Sequence, residues 1–447
     1  MKDLGEPREA SRFWRRNNRA FGSLPYQADH YPKAAETNPL PRIHRTQIFR
    51  TLDDLESLRP AWEALLEDFS GATTFSTWEW LAPWWRAFGE GRELLVLAFF
   101  DEAEKLVGLA PLQISRRRVT SFLKLRVLGL WGDGSGDSDN LDIPVRAGWE
   151  EPVAMVLLEF LKKESSQWDF CEFNTMPEDS PVASCLAKQL GDRGWNAYND
   201  QRASSAIALP ETWEAYLSQL SSKERGKVAY YQNRLQKKYR MHVHRCEAES
   251  EIPGCLEALF KLHRERWQAL GQSGSFESSA RRQFYCDLAT LLNARNRLEF
   301  WLLELDRHPV AAQFGFRHGN TVFQLQEGFD LAYSADSVGY VLRAYVIEQQ
   351  IAQGVRRYDF LAGEAPSKSR WATQPSHYLN VQFARPLGRG SAYLHLIHGA
   401  GSSKEWLRRH LPSNAWQVLR RLNAKTTRQE TAATTSMQVS EIVSAKS

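Results

Sequence analysis

Residues 321–327 read TVFQLQE, and Gly328-Phe329-Asp330 closes them. After a short loop, Ser337-Val338-Gly339-Tyr340-Val341-Leu342 opens a segment that ends at Gly354, and Tyr358-Asp359-Phe360-Leu361 follows. Apolar and polar residues alternate along 321–327, the period of a half-buried strand. Val338, Val341, Leu342, Tyr345 and Ile351 fall at helical spacing, so 337–353 reads as a helix, with Asp336 or Ser337 as N-cap and Gly354 as its stop. Residues 358–361 read as the next strand. A strand running through a loop into an exposed helix start brings backbone N–H groups and the positive helix end together, which suits a phosphate.

Working outward, the same order of elements occurs twice. In the second half, helical segments at 252–270 and 278–292 precede strands at 298–305 and 310–316 joined by a tight turn. In the first half, helical segments at 52–69 and 78–88 precede strands at 94–100 and 106–114. Each half then reaches a helix, 151–163 or 337–353, and a matching triplet, Trp168-Asp169-Phe170 or Tyr358-Asp359-Phe360. The recurrence predicts a duplicated domain: 46–205 and 206–422, flanked by a disordered basic arm (1–45) and a disordered tail (423–447).

Composition narrows the class. Hydrophobic residues make up 43% of the 447, which excludes a mostly disordered chain. Lys plus Arg number 57 against 53 acids, too near balance for a dedicated nucleic-acid binder. The five cysteines include no CxxC pair, which argues against a disulfide framework or a structural zinc site. The longest apolar run, 94–100, falls far short of the ~20 residues of a membrane span, so no integral membrane segment is expected. A cytoplasmic protein, with a peripheral place at the inner membrane as an option, is the default. Sixteen tryptophans stand out.

The run 328–342, followed by 358–368 (YDFLAGEAPSK) and Trp371, resembles the GNAT-superfamily acetyltransferases of the CelD/BcsL-like type, which are associated with cellulose and exopolysaccharide. Residues 220–227 (LSSKERGK) are similar to the basic helix start of their catalytic half. Phe75, Trp80 and 107–112 (VGLAPL) extend the resemblance more loosely into the first half. It implies an α/β (α+β) chain of tandem GNAT-like domains, each a mixed central sheet flanked by helices, related to the FemAB-type transferases. The expected activity is acyl transfer from acetyl-CoA or another acyl-CoA to a small-molecule or glycan amine in envelope or exopolysaccharide biosynthesis, with envelope-biosynthesis proteins as possible partners. The superfamily's phosphate loop falls on 334–339 (SADSVG), where only the final glycine matches; that departure leaves room for an aminoacyl donor carried on tRNA. A catalytically inactive scaffold is the third reading.

On this resemblance the thioester lies in the splay between strands 321–327 and 356–361, and Gln326, Ser337, Val338, Gly339 and Tyr340 contact the cofactor. An N–H near Gln326 or Glu327 would hold the oxyanion. Glu327 is the first candidate base and Glu364 the second, and Tyr333 or Tyr340 would protonate the leaving thiolate. Asp359 would hold the loop containing Lys368, and Lys368 would hold that loop closed or bind an anionic acceptor. Trp84 and Trp85 sit in a cluster too dense for one buried helical face and are expected to line an acceptor groove. The first half has no phosphate-binding turn before its helix at 151–163, so it is expected to lack the cofactor and to shape that groove.

Three other signals carry less. Seven basic residues between Lys223 and Arg240, interleaved with Tyr230, Tyr231 and Tyr239, form either a solvated helix or a grip on tRNA, an anionic glycan or the 3′-phosphate of CoA. Asp133-Gly134-Ser135-Gly136-Asp137-Ser138-Asp139 has the composition of a calcium loop, but Ser138 and Pro144 break the pattern, so it reads as a plain loop. His242 and His244 alternate as on a strand with no third ligand nearby in sequence, so no metal is expected.

Overall fold

The computed structural model describes residues 40–269, 271, 274–363, 366–371 and 373–410. Glu364, residues 1–39 and everything beyond 410 lie outside them, so the expected tail and most of the expected arm do too. The first half runs β1 (Arg45–Phe49), α1 (Leu52–Glu56), α2 (Arg59–Asp68), α3 (Trp78–Phe88), β2 (Glu93–Phe100), β3 (Leu106–Arg118), β4 (Lys124–Leu130), α4 (Glu150–Lys163), β5 (Phe170–Pro177), α5 (Pro181–Asp192) and β6 (Asn196–Ala208). Helices α6 (Trp213–Gln219) and α7 (Ser222–Lys238) lead into the second. It runs β7 (Met241–Arg245), α8 (Ile252–Ala269), α9 (Ser279–Ala294), β8 (Leu298–Leu305), β9 (His308–His318), β10 (Thr321–Phe329), α10 (Val338–Ala352), β11 (Arg357–Ala362), α11 (Pro366–Ser369) and β12 (Gln374–Ala384). Helix α12 (Arg389–His410) follows; its residues from 392 onward belong to a separate unit from 40–391.

Twelve strands make one mixed sheet in the order β1-β2-β3-β4-β5-β12-β6-β11-β10-β9-β8-β7. The duplication is visible in it: β4 pairs parallel with β5 as β10 does with β11, and each parallel pair stands beside antiparallel neighbours. The last strands are exchanged. β6, from the first half, pairs with β11 of the second, while β12, from the second, pairs with β5 of the first. β6 and β12 pair with each other from Asn196↔Ala384 to Ala206↔Gln374. Each half thus covers the sheet edge the other would expose, the usual liability of an unpaired strand.

The tryptophan-rich α3 packs on α9 of the second half. Trp80 and Phe88 meet Phe284 at ring-centroid distances of 5.3 and 5.5 Å. Buried Glu79 binds Arg59 and Arg295, each at 3.1 Å. Trp84 is 0% exposed and Trp85 half-buried against Trp131. The density of rings in α3 therefore reflects a helix buried between two halves and not a ligand groove.

The loop 131–146 after β4 is also held from within. Asp142 is buried there and accepts the Ser180 hydroxyl at 2.8 Å and its neighbour Ile143 N–H, while Ser180 caps α5. Burial pushes its carboxyl up to about 7. A carboxyl raised from 3.8 favours the fold most at low pH and loses that contribution as pH rises to its folded value, here on the order of 4 kcal/mol. Asp142→Asn does not titrate. Its melting temperature relative to wild type should climb between pH 4 and 7 and level off by pH 8; a difference constant with pH would contradict the assignment.

Candidate active site

Parallel pairing of β10 and β11 covers only Thr321↔Arg357 to Phe323↔Asp359, and beyond it the strands part. Two local features open the gap. The register of β10 against β9 skips Leu325, a β-bulge that turns the strand out of the ladder. Gly315 of β9 permits it: a Cβ there would lie 2.4 Å from the Phe323 carbonyl oxygen. On the other side Leu361 takes φ 61°, a left-handed conformation costly for a leucine.

Lys368 and Asp359 hold that strained turn. Lys368 Nζ donates to the carbonyls of Phe360, Leu361, Ala362 and Gly363 at 2.8, 3.3, 2.9 and 2.9 Å. Burial pulls its ammonium down to about 8. Asp359 accepts the Leu361 N–H at 2.8 Å and pairs with Arg357 at 3.0 Å. Burial raises its carboxyl. Both are positioned to shape the end of β11, and Lys368 has its charge turned onto backbone carbonyls.

The gap forms a cleft of about 220 Å³. Gln324, Gln326, Glu327 and Arg343 line one part, His263, Arg266 and Trp267 of α8 another, and Lys368 with Phe360–Ala362 the β11 side. Helix α8 lies directly on β10: a Cβ at Gly328 would come within 2.9 Å of the His263 nitrogen. The rest comes from the first half, through Gly136, Asp137, Asp139 and Arg202. The loop set aside as a failed calcium motif reaches across with Gly132, Gly134 and Gly136 at φ 105°, 97° and 83°. Buried indoles pin it: Trp84 Nε1 donates to Ser135 Oγ at 2.9 Å and Trp80 Nε1 to Ser138 Oγ at 3.0 Å. Arg281 Nε binds Asp137 at 3.0 Å, and the Tyr285 hydroxyl bonds both Asp137, at 3.0 Å, and Gln326.

Of the three carboxylates that line this cleft, Asp137 is tied to Arg281 and Tyr285, and the other two stand in opposite electrostatic settings. Burial alone would raise Glu327, but Arg343 and Arg266 outweigh it and hold the group below the usual carboxylate range. Arg343 is bonded to it, Arg266 stands 3.8 Å away, and Gln324 donates at 3.3 Å. Asp139 accepts the Ala362 N–H at 3.0 Å, with Arg202 at 3.8 Å. Burial lifts it to about 6, against the pull of Arg202. Of the two, Asp139 has the proton affinity of a base that works near neutral pH. His263 is also buried; it accepts from Trp267 Nε1 at 2.8 Å and its Nδ1 has no partner. Burial, with Arg266 and Arg281, lowers it to about 4, so it is neutral.

The other expected residues lie elsewhere. Ser337 is the N-cap of α10 at φ 54°, with no side-chain cap bond, and Val338, Gly339 and Tyr340 form the first turn. Arg343 follows Ser337 by six positions, about 9 Å of helix rise, so α10 links that turn to the cleft. Asp336 neither caps the helix nor stands free. Arg234 at 2.6 Å, Lys238 at 3.0 Å and the Tyr239 hydroxyl at 3.1 Å engage it, and those bonds pull its carboxyl down to about 2. Its charge beside the helix start is thereby neutralised, and two of the six basic residues of α7 are spent. A Cβ on Gly339 would come within 3.1 Å of the Phe329 ring, so this glycine serves packing at least as much as any ligand. Tyr340 stacks on Trp371 at 4.5 Å, and its hydroxyl bonds Glu224. Tyr333 packs on Tyr239 at 5.7 Å. Neither tyrosine lines the cleft, nor do Asp359, Trp84 or Trp85; Gln326, Glu327 and Lys368 do. Sequence reasoning missed Asp139, His263, Arg266 and Arg343; the glycine–acid alternation of 133–139 was the one available signal.

Residues 222–369 match the family model of the acetyltransferase (GNAT) domain. No curated protein matches the chain. Among solved structures, the crystal structure of FemX is similar over 79% of this chain and 100% of its own, at 11% identity and a TM-score of 0.53. The L-PGS structure from Bacillus licheniformis covers 81% of this chain and 98% of its own, at 12% identity and a TM-score of 0.44. A tandem GNAT protein from the clavulanic acid biosynthesis pathway covers 76% and 98%, at 10% identity and a TM-score of 0.42. At such identities the FemX likeness speaks for the fold. The family match over residues 222–369 supports an acyltransferase that carries a GNAT-type domain, and the sheet itself is mixed α/β, flanked by helices.

Proposed function

We propose that this chain transfers an acyl group, acetyl or longer, from a CoA thioester to an amine in the β10–β11 cleft. The observation that carries the reading is the splay itself: a bulge at Leu325 on one wall and, facing it, a buried carboxylate lifted to about 6. The donor would lie with its phosphates toward the uncapped start of α10 and its thioester between β10 and β11. The amine nitrogen attacks the thioester carbon, backbone N–H groups of β10 near Leu325 and Gln326 hold the oxyanion, and Asp139 takes the amine proton; the intermediate then collapses, the C–S bond breaks and CoA leaves as its thiolate. Glu327, held ionised by two arginines, orients them. Tyr340 could protonate the thiolate only by turning away from Glu224.

An acceptor from envelope or exopolysaccharide synthesis, on the CelD/BcsL-like pattern, fits a cleft with Arg202 and Arg266 at its rim, and a cytoplasmic setting would supply CoA esters. Among the described residues no helix is long and apolar enough to cross a membrane. The aminoacyl-tRNA alternative has one observation in its favour, the exposed Lys223, Arg225, Lys237 and Arg240 of and beside α7. Titration calorimetry separates the two. Acetyl-CoA or a longer acyl-CoA should bind saturably with a weak salt dependence. No binding of any CoA ester, together with salt-sensitive binding of charged tRNA, would transfer the assignment to the alternative.

A further inference from the structure

Among the described residues β7 is the last strand of the sheet and pairs with β8 alone. His242 and His244 stand two residues apart on it and share one face. Glu304 of β8 is directly opposite His242 in the register. The sequence shows no third ligand beside the two histidines; the sheet brings one from 60 positions further on, with a carboxylate oxygen 3.9 Å from His242 Nδ1. The imidazoles stack at 5.2 Å with planes 20° apart, and a ligand atom from each of the three residues lies within 4.8 Å of the others.

Among the described residues His244 Nδ1 is buried without a hydrogen-bond partner. The His242–Glu304 separation is too long for a hydrogen bond.

We infer that His242, His244 and Glu304 form a three-ligand site for a divalent transition metal of the zinc class. Two imidazoles and one carboxylate are the donor set that such ions prefer, whereas magnesium and calcium call for oxygen ligands. Bonds of about 2.0–2.2 Å to one ion bring ligand atoms closer together than they stand here, a change that side-chain rotation supplies while the paired backbone stays in place. Three protein ligands leave a fourth position open to water. The ion would clip β7 to β8, fastening the edge of the sheet and the strand that joins α7 to α8. The site is separate from the cleft, and its occupancy does not depend on the acyl-transfer reading.

The test is calorimetric titration of the chelator-treated full chain with zinc chloride at pH 7.5, repeated with cobalt, calcium and magnesium. Zinc should bind one-to-one in the micromolar range or tighter and cobalt more weakly, with calcium and magnesium silent. Glu304→Gln should weaken zinc at least about tenfold, and the H242A/H244A double variant at least about a hundredfold. Zinc should also raise the melting temperature of wild type and not that of the double variant. The double variant should melt with wild type in the absence of metal, since His242 is exposed and His244 Nδ1 has no hydrogen-bond partner among the described residues. Undiminished zinc binding by the double variant would mean an adventitious ion elsewhere, and no binding by wild type below millimolar zinc would overturn the site outright.

Discussion

Asp139→Asn should lower kcat by roughly 10²–10⁴-fold, the usual contribution of a general base, while leaving the affinity for the acyl donor close to wild type. Asn keeps an oxygen to accept the Ala362 N–H that Asp139 accepts at 3.0 Å, so the loop stays in place. Only the proton acceptor is gone. The pH profile follows from the same group. With its carboxyl lifted to about 6, Asp139 is protonated and inactive as a base below that value, so wild-type kcat should fall as pH drops through 6. Stability should move the other way. A carboxyl raised by burial stabilises the fold least once it is ionised, so the Asn variant should melt no lower than wild type at pH 8. An inactive protein of undiminished stability is what a base predicts and a structural carboxylate does not. Retention of the acid limb in the variant, or a loss of activity matched by a loss of folding, would return the role to another group.

Lys368→Met should fail in both respects at once. The substitution keeps the stem and removes an ammonium bonded to four carbonyls. Leaving those carbonyls without their charged donor costs about 1–3 kcal/mol, which in a chain of this size amounts to a fall of a few degrees in melting temperature. The left-handed turn at Leu361 then loses what holds it, and the β11 wall of the cleft relaxes. kcat/KM should drop at least about a hundredfold. Arginine should not rescue, because a planar fork cannot replace a compact ammonium inside a ring of carbonyls. Circular-dichroism melts and steady-state rates check this; a variant that melts and turns over like wild type would show that the clamp is incidental.

Both predictions concern residues that the sequence treats unequally, and the contrast shows where local reading stops. Lys368 falls inside a recognisable motif, and its bonds in the structure run to carbonyls just upstream of it. The partners are at most eight residues away, within reach of local reasoning. Asp139 sits in a stretch whose composition suggested only a loop, and its bond is to Ala362, 223 positions later. Asp336 shows the same limit. As a sequence position it is an unwelcome charge beside a phosphate; in the fold it is neutralised by Arg234, 102 residues earlier. Glu327 reverses the lesson. Its place at the end of the central strand suggested a base, but Arg343 and Arg266 lower its proton affinity, and neither arginine is identifiable as its partner from spacing.

The tryptophans that mark the composition follow the same rule. Their density around α3 was legible, and so was the fact that one buried face could not hold them all. What the density is for depends on a second body, α9 from the other half, and on the loop whose serines Trp80 and Trp84 bond.

By itself, then, the sequence determined the local pieces: alternation along 321–327, helical spacing from Val338 to Ile351, the order of elements used twice, and the motif that ties the second half to acyl transfer. Periodicity reports which face of a segment is buried, and it does so without reference to any partner. The tertiary structure decided the pairings. It exchanged β6 and β12 between the halves, set α3 against α9, brought the 131–146 loop of one half to the splayed strands of the other, and placed Glu304 across from His242. Those contacts are fixed by long-range packing and by the pairing of buried charges, whose energies depend on neighbours in space, and no spacing along the chain encodes them.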